Sequence, residues 1–199
     1  MVSPIIKKAT TMKNFIQHYV KNLTELLNNI DINAIEQIKE LLDSTIEKKS
    51  KIYIIGNGGS SSTASHMSND LGVGLKLRNI RNFNVESLGD NSAVCSAIAN
   101  DTGYENIFYT QLTNKITKDD VLIAISCSGT SPNILKATKY AKEVGTTIVG
   151  VTGFNGGELK ELSDINFHIQ TVKGEYGLVE DMHMILDHII FSYYLSLKN

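Results

Sequence analysis

Short apolar segments alternate with helical patterns along most of the chain, and this alternation restricts the possible folds more than any other feature. The segments read KIYII (51–55), FNVESL (83–88), DVLIAIS (120–126), TTIVGVTG (146–153) and INFHIQ (165–170). Helical periodicity lies between them, over 60–74, 92–100, 131–144 and 178–197. Strands joined by helical crossovers form parallel sheets. We therefore predict an α/β fold, a three-layer sandwich around a five-stranded, mostly parallel sheet.

Two further helical patterns precede the first strand. One covers roughly 10–29, and the other covers 31–50, with Asp31 or Asn33 near its start and lysines at its end, as the helix dipole favours. A length of 199 residues suits one domain. The prediction is a single domain over 1–199, in which residues 1–50 form an N-terminal helical extension.

Composition and charge exclude several classes of partner. The net charge of −2 lacks the basic excess typical of a nucleic-acid surface. No segment approaches the ~20 apolar residues that span a bilayer, and the first residues lack the apolar run of a signal peptide. Cys95 and Cys127 stand in no metal-binding spacing and are typical of reduced thiols. We expect a cytoplasmic protein with no nucleic-acid and no membrane partner.

Two predicted strands run into loops that are rich in glycine and hydroxyl side chains. IYIIGNGGSSS and LIAISCSGTSPN each continue into a helical pattern. Glycines let the backbone approach a ligand, and a helix N-terminus offers free N–H groups to an anion. Neither loop has the lysine of a Walker motif, and GNGGSS is not the dinucleotide pattern GxGxxG. The pair favours a sugar phosphate, although serines at a helix start are also ordinary caps.

Histidines and carboxylates occur at helical spacing in two places. His66 and Asp70 stand four residues apart and share a helix face, where they could bind a divalent metal, act as an acid–base pair, or form a surface ion pair. The C-terminal helix is apolar almost all round yet contains several polar groups, among which His183 and Asp187 could simply satisfy one another.

These motifs together resemble the sugar isomerase (SIS) domain and, within it, the phosphoheptose isomerases. The resemblance rests on GNGGSS followed by a histidine, AIANDTGYENIF, ISCSGTSPNILKA and YGLVEDMHMILDHII, and it covers nearly the whole chain. It implies a homotetramer with active sites between subunits, often with zinc. It implies interconversion of sedoheptulose 7-phosphate and a manno-heptose 7-phosphate, for heptose and surface polysaccharide synthesis.

The resemblance also implies roles for individual positions. It gives Asp70 as the base and His188 as its proton-transfer partner. It gives His66, Asp70, Glu180 and His188 as metal ligands. The implied substrate-binding residues are Asn57, Gly58, Gly59, Ser60, Asn100, Asp101, Ser126, Cys127, Ser128, Ser131 and Glu180.

Four positions depart from the family pattern. Asp70 stands where the family has glutamate, and Glu180 where it has a glutamine ligand. Gly74 stands where it has arginine, for which Lys76 or Arg78 could substitute, and an aspartate expected near Gly177 is missing. A regular helix separates Glu180 from His188 by about 12 Å, so either the helix begins after Glu180 or different subunits supply the ligands.

The resemblance predicts an aldose–ketose isomerase in which Asp70 moves a proton between two carbons through an enediol and zinc polarises the carbonyl. The departures keep two alternatives open. One is a non-catalytic module that binds a sugar phosphate or a partner protein. The other is an isomerase for a different ketose phosphate.

Overall fold

A five-stranded sheet forms the centre of the computed structural model, which describes residues 11–197. The strand order is β2-β1-β3-β4-β5, and all four neighbouring pairs are parallel. The bounds are β1 Lys51–Gly56, β2 Asn84–Ser87, β3 Val121–Ser126, β4 Thr147–Phe154 and β5 Ile165–Gln170. The predicted fold class is confirmed, and the sheet is parallel throughout.

Helices cover both faces of this sheet. Their bounds are α1 Met12–Asn28, α2 Ile32–Lys48, α3 Gly59–Asn69, α4 Leu75–Leu77, α5 Ser92–Thr102, α6 Tyr109–Leu112, α7 Pro132–Val144, α8 Gly157–Leu162 and α9 Tyr176–Ser196. A π-helical segment, Asp70–Gly74, joins α3 to α4, and a 3₁₀ turn, Tyr104–Asn106, follows α5. The sequence pattern missed α6 and α8, because four to six residues are too few to show a helical period.

Alternate residues of the central strand β3 face two separate helical layers. Val121, Ile123 and Ile125 pack in one hydrophobic cluster with residues of α2, α3 and α9. Leu122 and Ala124 pack in the other cluster, with residues of α6, α7 and α8. Strands buried on both faces appear in the sequence as continuous apolar runs, which is why VLIAIS has no polar residue before its last position.

The two N-terminal helices begin at capping residues and pack into the main core. The Thr11 and Asp31 side chains accept hydrogen bonds from the backbone N–H groups of Asn14 and Ala34. Asp31 is thus the cap of α2, and the predicted start of α1 at residue 10 lies outside the described residues. The buried α2 side chain Leu42 belongs to the cluster that covers β1 and β3. Packing against the sheet stabilises α2 where it lies.

The longest described helix, α9, buries polar groups in an apolar environment. Val179, Met182 and Leu186 are almost fully buried, as are His183 and Asp187. Neither this helix nor any other in the described part of the chain is long and apolar enough to cross a membrane. Nε2 of His183 donates a hydrogen bond to the Thr152 carbonyl on β4 at 3.2 Å, which fixes α9 against the sheet.

His183 should make the free energy of unfolding depend on pH. Burial lowers its pKa to about 4, whereas the unfolded chain titrates near 6.5. Its stabilising contribution is therefore complete above about pH 6.5 and falls as the pH drops toward 4, by on the order of 3 kcal/mol. Urea unfolding between pH 4.5 and 7.5 should show a steeper decline for the wild-type protein than for His183→Gln. Parallel curves for the two proteins would contradict this assignment.

The sheet has a topological switch point between β1 and β3. Connections run outward from these two neighbours in opposite directions, and Gly56 at the end of β1 pairs with Ile125, the next-to-last residue of β3. Crevices beyond such a point are the usual ligand sites of open parallel sheets. The fold therefore places the two glycine- and serine-rich loops side by side.

Candidate active site

A small pocket lies where these two loops meet. Its volume is 160 Å³, below the 300–1,000 Å³ typical of pockets that enclose a whole ligand, so it fits a phosphate and a few further atoms. Its lining includes most of the predicted substrate residues. They are Asn57, Ser60, Ser126, Cys127, Ser128, Ser131 and Glu180, with Ile125 and Tyr176 completing the wall.

The hydroxyl groups of the second loop are not used as helix caps. Ser131 occupies the N-cap of α7, but its side chain makes no capping hydrogen bond. Its Oγ lies 3.5 Å from Oγ of Ser126, which accepts a hydrogen bond from the Gly129 N–H. Ser128 Oγ accepts from the Thr130 N–H at 3.3 Å. Hydroxyls grouped at a helix N-terminus suit an anion, so the capping interpretation does not hold for Ser131.

Asn57 is held at the pocket by a reciprocal amide pair. Its Nδ2 donates to Oδ1 of Asn133 at 2.9 Å, and Nδ2 of Asn133 donates back to Oδ1 of Asn57 at 2.8 Å. The Tyr104 hydroxyl also donates to Asn57 Oδ1. Gly58 next to it is exposed and caps α3 in a positive-φ conformation. Asn133 and Tyr104 were not predicted, because only the folded chain brings them to Asn57.

Glu180 enters the pocket from α9 beside the first loop. A Cβ atom at position 59 would overlap its carboxylate, so the glycine there makes room for Glu180. Burial, and then the charge of Glu180, raise the pKa of Cys127 to about 11. Cys127 is therefore a neutral thiol near pH 7, suited to contact with a ligand but not to nucleophilic attack.

Two histidines and two aspartates form a second group, between α3 and α9. Its members are His66, Asp70, Asp187 and His188, and one ligand atom from each lies within 4.8 Å of all the others. Nε2 of His66 is 3.2 Å from Nε2 of His188, 3.5 Å from Asp70 and 3.8 Å from Asp187. Together these four residues form a group that is able to hold a metal ion. We call it the His/Asp cluster.

Asp187 is the member of the cluster that the sequence prediction missed. Its side chain is 0% exposed, and neither carboxylate oxygen has a hydrogen-bond partner among residues 11–197. Burial, and then the charge of Asp70, raise its pKa to about 7. The suggestion that His183 and Asp187 satisfy one another is wrong, because His183 bonds to Thr152 and its Nδ1 also lacks a partner in the described chain.

Asn100 and Asp101 lie apart from both groups of residues. They are exposed near the end of α5, and Nδ2 of Asn100 donates to Oδ1 of Asp101 at 2.8 Å. Neither lines the phosphate-sized pocket. Their part in substrate binding stays a prediction.

Comparisons with known proteins identify the family of this chain. The model of the SIS domain family matches residues 18–153. The phosphoheptose isomerase of Helicobacter pylori (strain P12) is 35% identical over 191 residues, which cover 96% of this chain and 94% of that protein. The chain belongs to the phosphoheptose isomerase family. Its relative from Aliarcobacter butzleri is 30% identical, with 92% and 94% of the two chains covered.

The fold of this phosphoheptose isomerase family member also matches solved structures. The phosphoheptose isomerase of Neisseria gonorrhoeae superposes with a TM-score of 0.83 at 23% identity, covering 94% of this chain and 100% of that one. At that identity the likeness shows the fold alone. It extends through the N-terminal helices as well as the sheet, since nearly all of both chains are covered.

Two departures from the family pattern are glycines in tightly packed surroundings. A Cβ at Gly74 would lie 3.1 Å from the Phe191 ring, so that ring would have to move by a few tenths of an ångström to admit a side chain there. Arg78, one of the suggested substitutes, donates from Nη1 to the Gly74 carbonyl. A Cβ at Gly177 would lie 3.1 Å from the Tyr19 hydroxyl, which donates to Asp181 at 2.5 Å.

Glu180 does not belong to the His/Asp cluster in this chain. It lines the phosphate-sized pocket, as its predicted part in substrate binding requires. The other predicted metal ligands, His66, Asp70 and His188, lie together in the cluster without it. The suggestion that the helix begins after Glu180 is wrong, because α9 begins at Tyr176. Supply of ligands by different subunits stays a prediction.

Proposed function

We propose that this chain interconverts sedoheptulose 7-phosphate and D-glycero-D-manno-heptose 7-phosphate. The observation that supports this most strongly is the pairing of a hydroxyl-lined pocket with a His/Asp cluster in a member of the phosphoheptose isomerase family. Such an aldose–ketose isomerase would supply heptose for a surface polysaccharide. A phosphorylated sugar and two free cysteines fit action in the cytoplasm.

The pocket would hold the phosphate through neutral donors. Hydroxyls of Ser60, Ser126, Ser128 and Ser131 and the N-terminus of α7 would contact the phosphate oxygens. Because the pocket is small, the sugar carbons would extend beyond it. Glu180 would accept hydrogen bonds from sugar hydroxyls, since its charge repels a phosphate. This fixes the sugar relative to the protein and so lowers the entropic part of the barrier.

Asp70 and His188 would move the protons. Asp70 would take the proton from one of the first two carbons and return it to the other, and His188 would transfer a proton between the two oxygens. The Asp70 side chain is largely buried, so its rotamer is held by the surrounding helices. The π-helical segment begins at Asp70, and such segments are frequent at functional sites.

The His/Asp cluster fits a zinc ion. Its two imidazole nitrogens are 3.2 Å apart. Two nitrogens bound to one tetrahedral zinc ion at 2.0–2.1 Å would lie about 3.3–3.4 Å from each other, which is close to this distance. Its carboxylates balance the charge of a divalent cation. We propose that His66, Asp70 and His188 hold zinc. Bound zinc would polarise the substrate carbonyl and stabilise the negative charge that develops on its oxygen.

We further propose a homotetramer with active sites at the subunit interfaces. Exposed apolar side chains on α1 and α9, among them Val20, Ile189 and Tyr193, support this, since large apolar surfaces usually mark an interface. An adjacent subunit would then also enclose the sugar carbons that the small pocket leaves uncovered.

The proposed reaction can be tested by hydrogen exchange. Metal-free protein and protein with added zinc are incubated with sedoheptulose 7-phosphate in deuterium oxide, and NMR follows aldose formation and deuterium at C1 and C2. We expect both signals, each stronger with zinc. Unphosphorylated sedoheptulose is the control, and it should react far more slowly because it cannot use the hydroxyl-lined pocket.

Absence of exchange from a folded protein under both conditions would contradict the proposal. A screen of sugar phosphates for thermal stabilisation would then separate the alternatives. Stabilisation and turnover with another ketose phosphate would indicate a different isomerase, and stabilisation without turnover a binding module.

A further inference from the structure

Asp187 is a buried carboxylate with no hydrogen bond to stabilise it. Its side chain is 0% exposed, and both oxygens lack a hydrogen-bond partner within the described residues. An ionised carboxylate in such a place is costly unless it is paired or coordinates a metal. The ion pair it makes is with Nε2 of His66 at 3.8 Å, and that ring is charged only when protonated.

The surroundings of Asp187 raise this cost further. Asp70 adds a second carboxylate to the same cluster, and its Oδ2 lies 3.5 Å from the same His66 nitrogen. One imidazolium at these distances compensates two carboxylates poorly. Two carboxylates and two imidazoles that converge within 4.8 Å match the donor set of a divalent cation.

We propose that Asp187 is a metal ligand, so that a single chain supplies four ligands: His66, Asp70, Asp187 and His188. In this chain Asp187 takes the coordination position that Glu180 was expected to fill. Glu180 is then available to the substrate in the neighbouring pocket. The assignment rests on the proposed function only in taking the His/Asp cluster as the zinc site.

The geometry of α9 supports this exchange of roles. Asp187 and His188 are adjacent on the helix, and both reach the cluster because it lies against the α3 side of α9. Glu180 is eight residues before His188, about 12 Å along the axis, and sits against Gly59 instead. A fourth ligand from the same chain removes the need for a distant residue.

Metal affinity, measured without substrate, tests the proposal. Metal-free wild type, Asp187→Asn, Glu180→Gln and Asp181→Asn are titrated with Zn²⁺ by calorimetry and with Co²⁺ by visible absorption. Asp187→Asn should bind Zn²⁺ more than about 100-fold more weakly and change the Co²⁺ spectrum, since even residues beyond the ligands change affinity 10–100-fold. Glu180→Gln and the matched control Asp181→Asn should stay within about threefold of wild type, because neither side chain belongs to the His/Asp cluster and the effect of a more distant charge is screened.

Thermal unfolding gives a second readout, because the difference in unfolding temperature between wild type and Asp187→Asn should change sign when Zn²⁺ is added. Without metal, Asp187→Asn should unfold at a higher temperature than wild type, because it removes a buried charge beside Asp70. With Zn²⁺ the order should reverse, because metal stabilises the wild type more. A purely structural role for Asp187 predicts the same order in both conditions. If Asp187→Asn does not fold, Asp187→Leu, uncharged and able to fill the site, replaces it.

Three results would overturn the proposal. They are wild-type affinity in the Asp187 variants, a loss in Glu180→Gln as large as in Asp187→Asn, and failure of the wild-type protein to bind a divalent metal. None of them depends on isomerase turnover. An inactive protein that loses metal on Asp187 substitution would contradict the proposed function and leave the ligand assignment intact.

Discussion

Asp70→Asn should lower kcat by about a thousand-fold or more, because a positioned general base contributes 10²–10⁴-fold and an amide cannot accept the proton. The two side chains have nearly the same shape, so the packing of the largely buried Asp70 is retained. Asp119→Asn, the same change at an exposed loop position, should leave kcat unaltered. Steady-state kinetics with sedoheptulose 7-phosphate give the comparison.

Metal content separates the two roles of Asp70. If Asp70→Asn still binds zinc and loses both turnover and deuterium exchange, the lost function is proton transfer. If zinc is lost as well, the variant is assayed at saturating zinc, where a role in metal binding alone predicts recovery. Activity within a few-fold of wild type would contradict the assignment. His188→Ala should be equally inactive, and the same outcomes apply to it.

The fold followed from the sequence because its local signals agree with its tertiary structure. VLIAIS is a continuous apolar run, as expected of a strand buried on both faces, and its six residues are too few for a typical helix. Asp31 caps α2 as its residue type favours. The π-helical segment after Asn69 lay beyond this reasoning, because its residues share the helical pattern of α3 and the change in hydrogen bonding leaves no mark on spacing.

The site was predicted in part, and the missing residues share one cause. Ser126, Ser128 and Ser131 lie within six residues of one another, between the end of β3 and the start of α7, so their proximity follows from the chain itself. Asp187 was assigned to His183 on spacing, which shows that two residues share a helix face but not which neighbour that face meets. The packing of α9 against α3 decides that Asp187 meets His66. Contacts between distant elements are not encoded in periodicity.

Gly129 is the position where the hydroxyl-rich loop tolerates least change. Its φ is +63°, a region that side-chain-bearing residues rarely adopt, and a Cβ there would overlap the Gly156 carbonyl oxygen. The Gly156 oxygen belongs to the backbone and the position of a Cβ is set by its own backbone, so no side-chain rotation relieves the overlap. The Gly129 carbonyl also accepts a hydrogen bond from the Leu159 N–H in α8. A shift of this loop would therefore disturb α8 and the pocket together.

Gly129→Ala should lower the free energy of unfolding by about 3–5 kcal/mol, combining about 1–2 kcal/mol of backbone strain with the steric overlap. Gly145→Ala is the matched control, since φ is +89° there but the nearest atom to an added Cβ, on Lys118, is 3.6 Å away. Gly145→Ala should lower the free energy of unfolding only by the backbone strain of about 1–2 kcal/mol. Urea unfolding measures both variants, and calorimetry with inorganic phosphate should show weaker binding for Gly129→Ala alone. Equal stability losses in the two variants would mean that the loop moves freely away from Gly156, and the hydroxyl-lined pocket would then not be the rigid phosphate site that its geometry indicates.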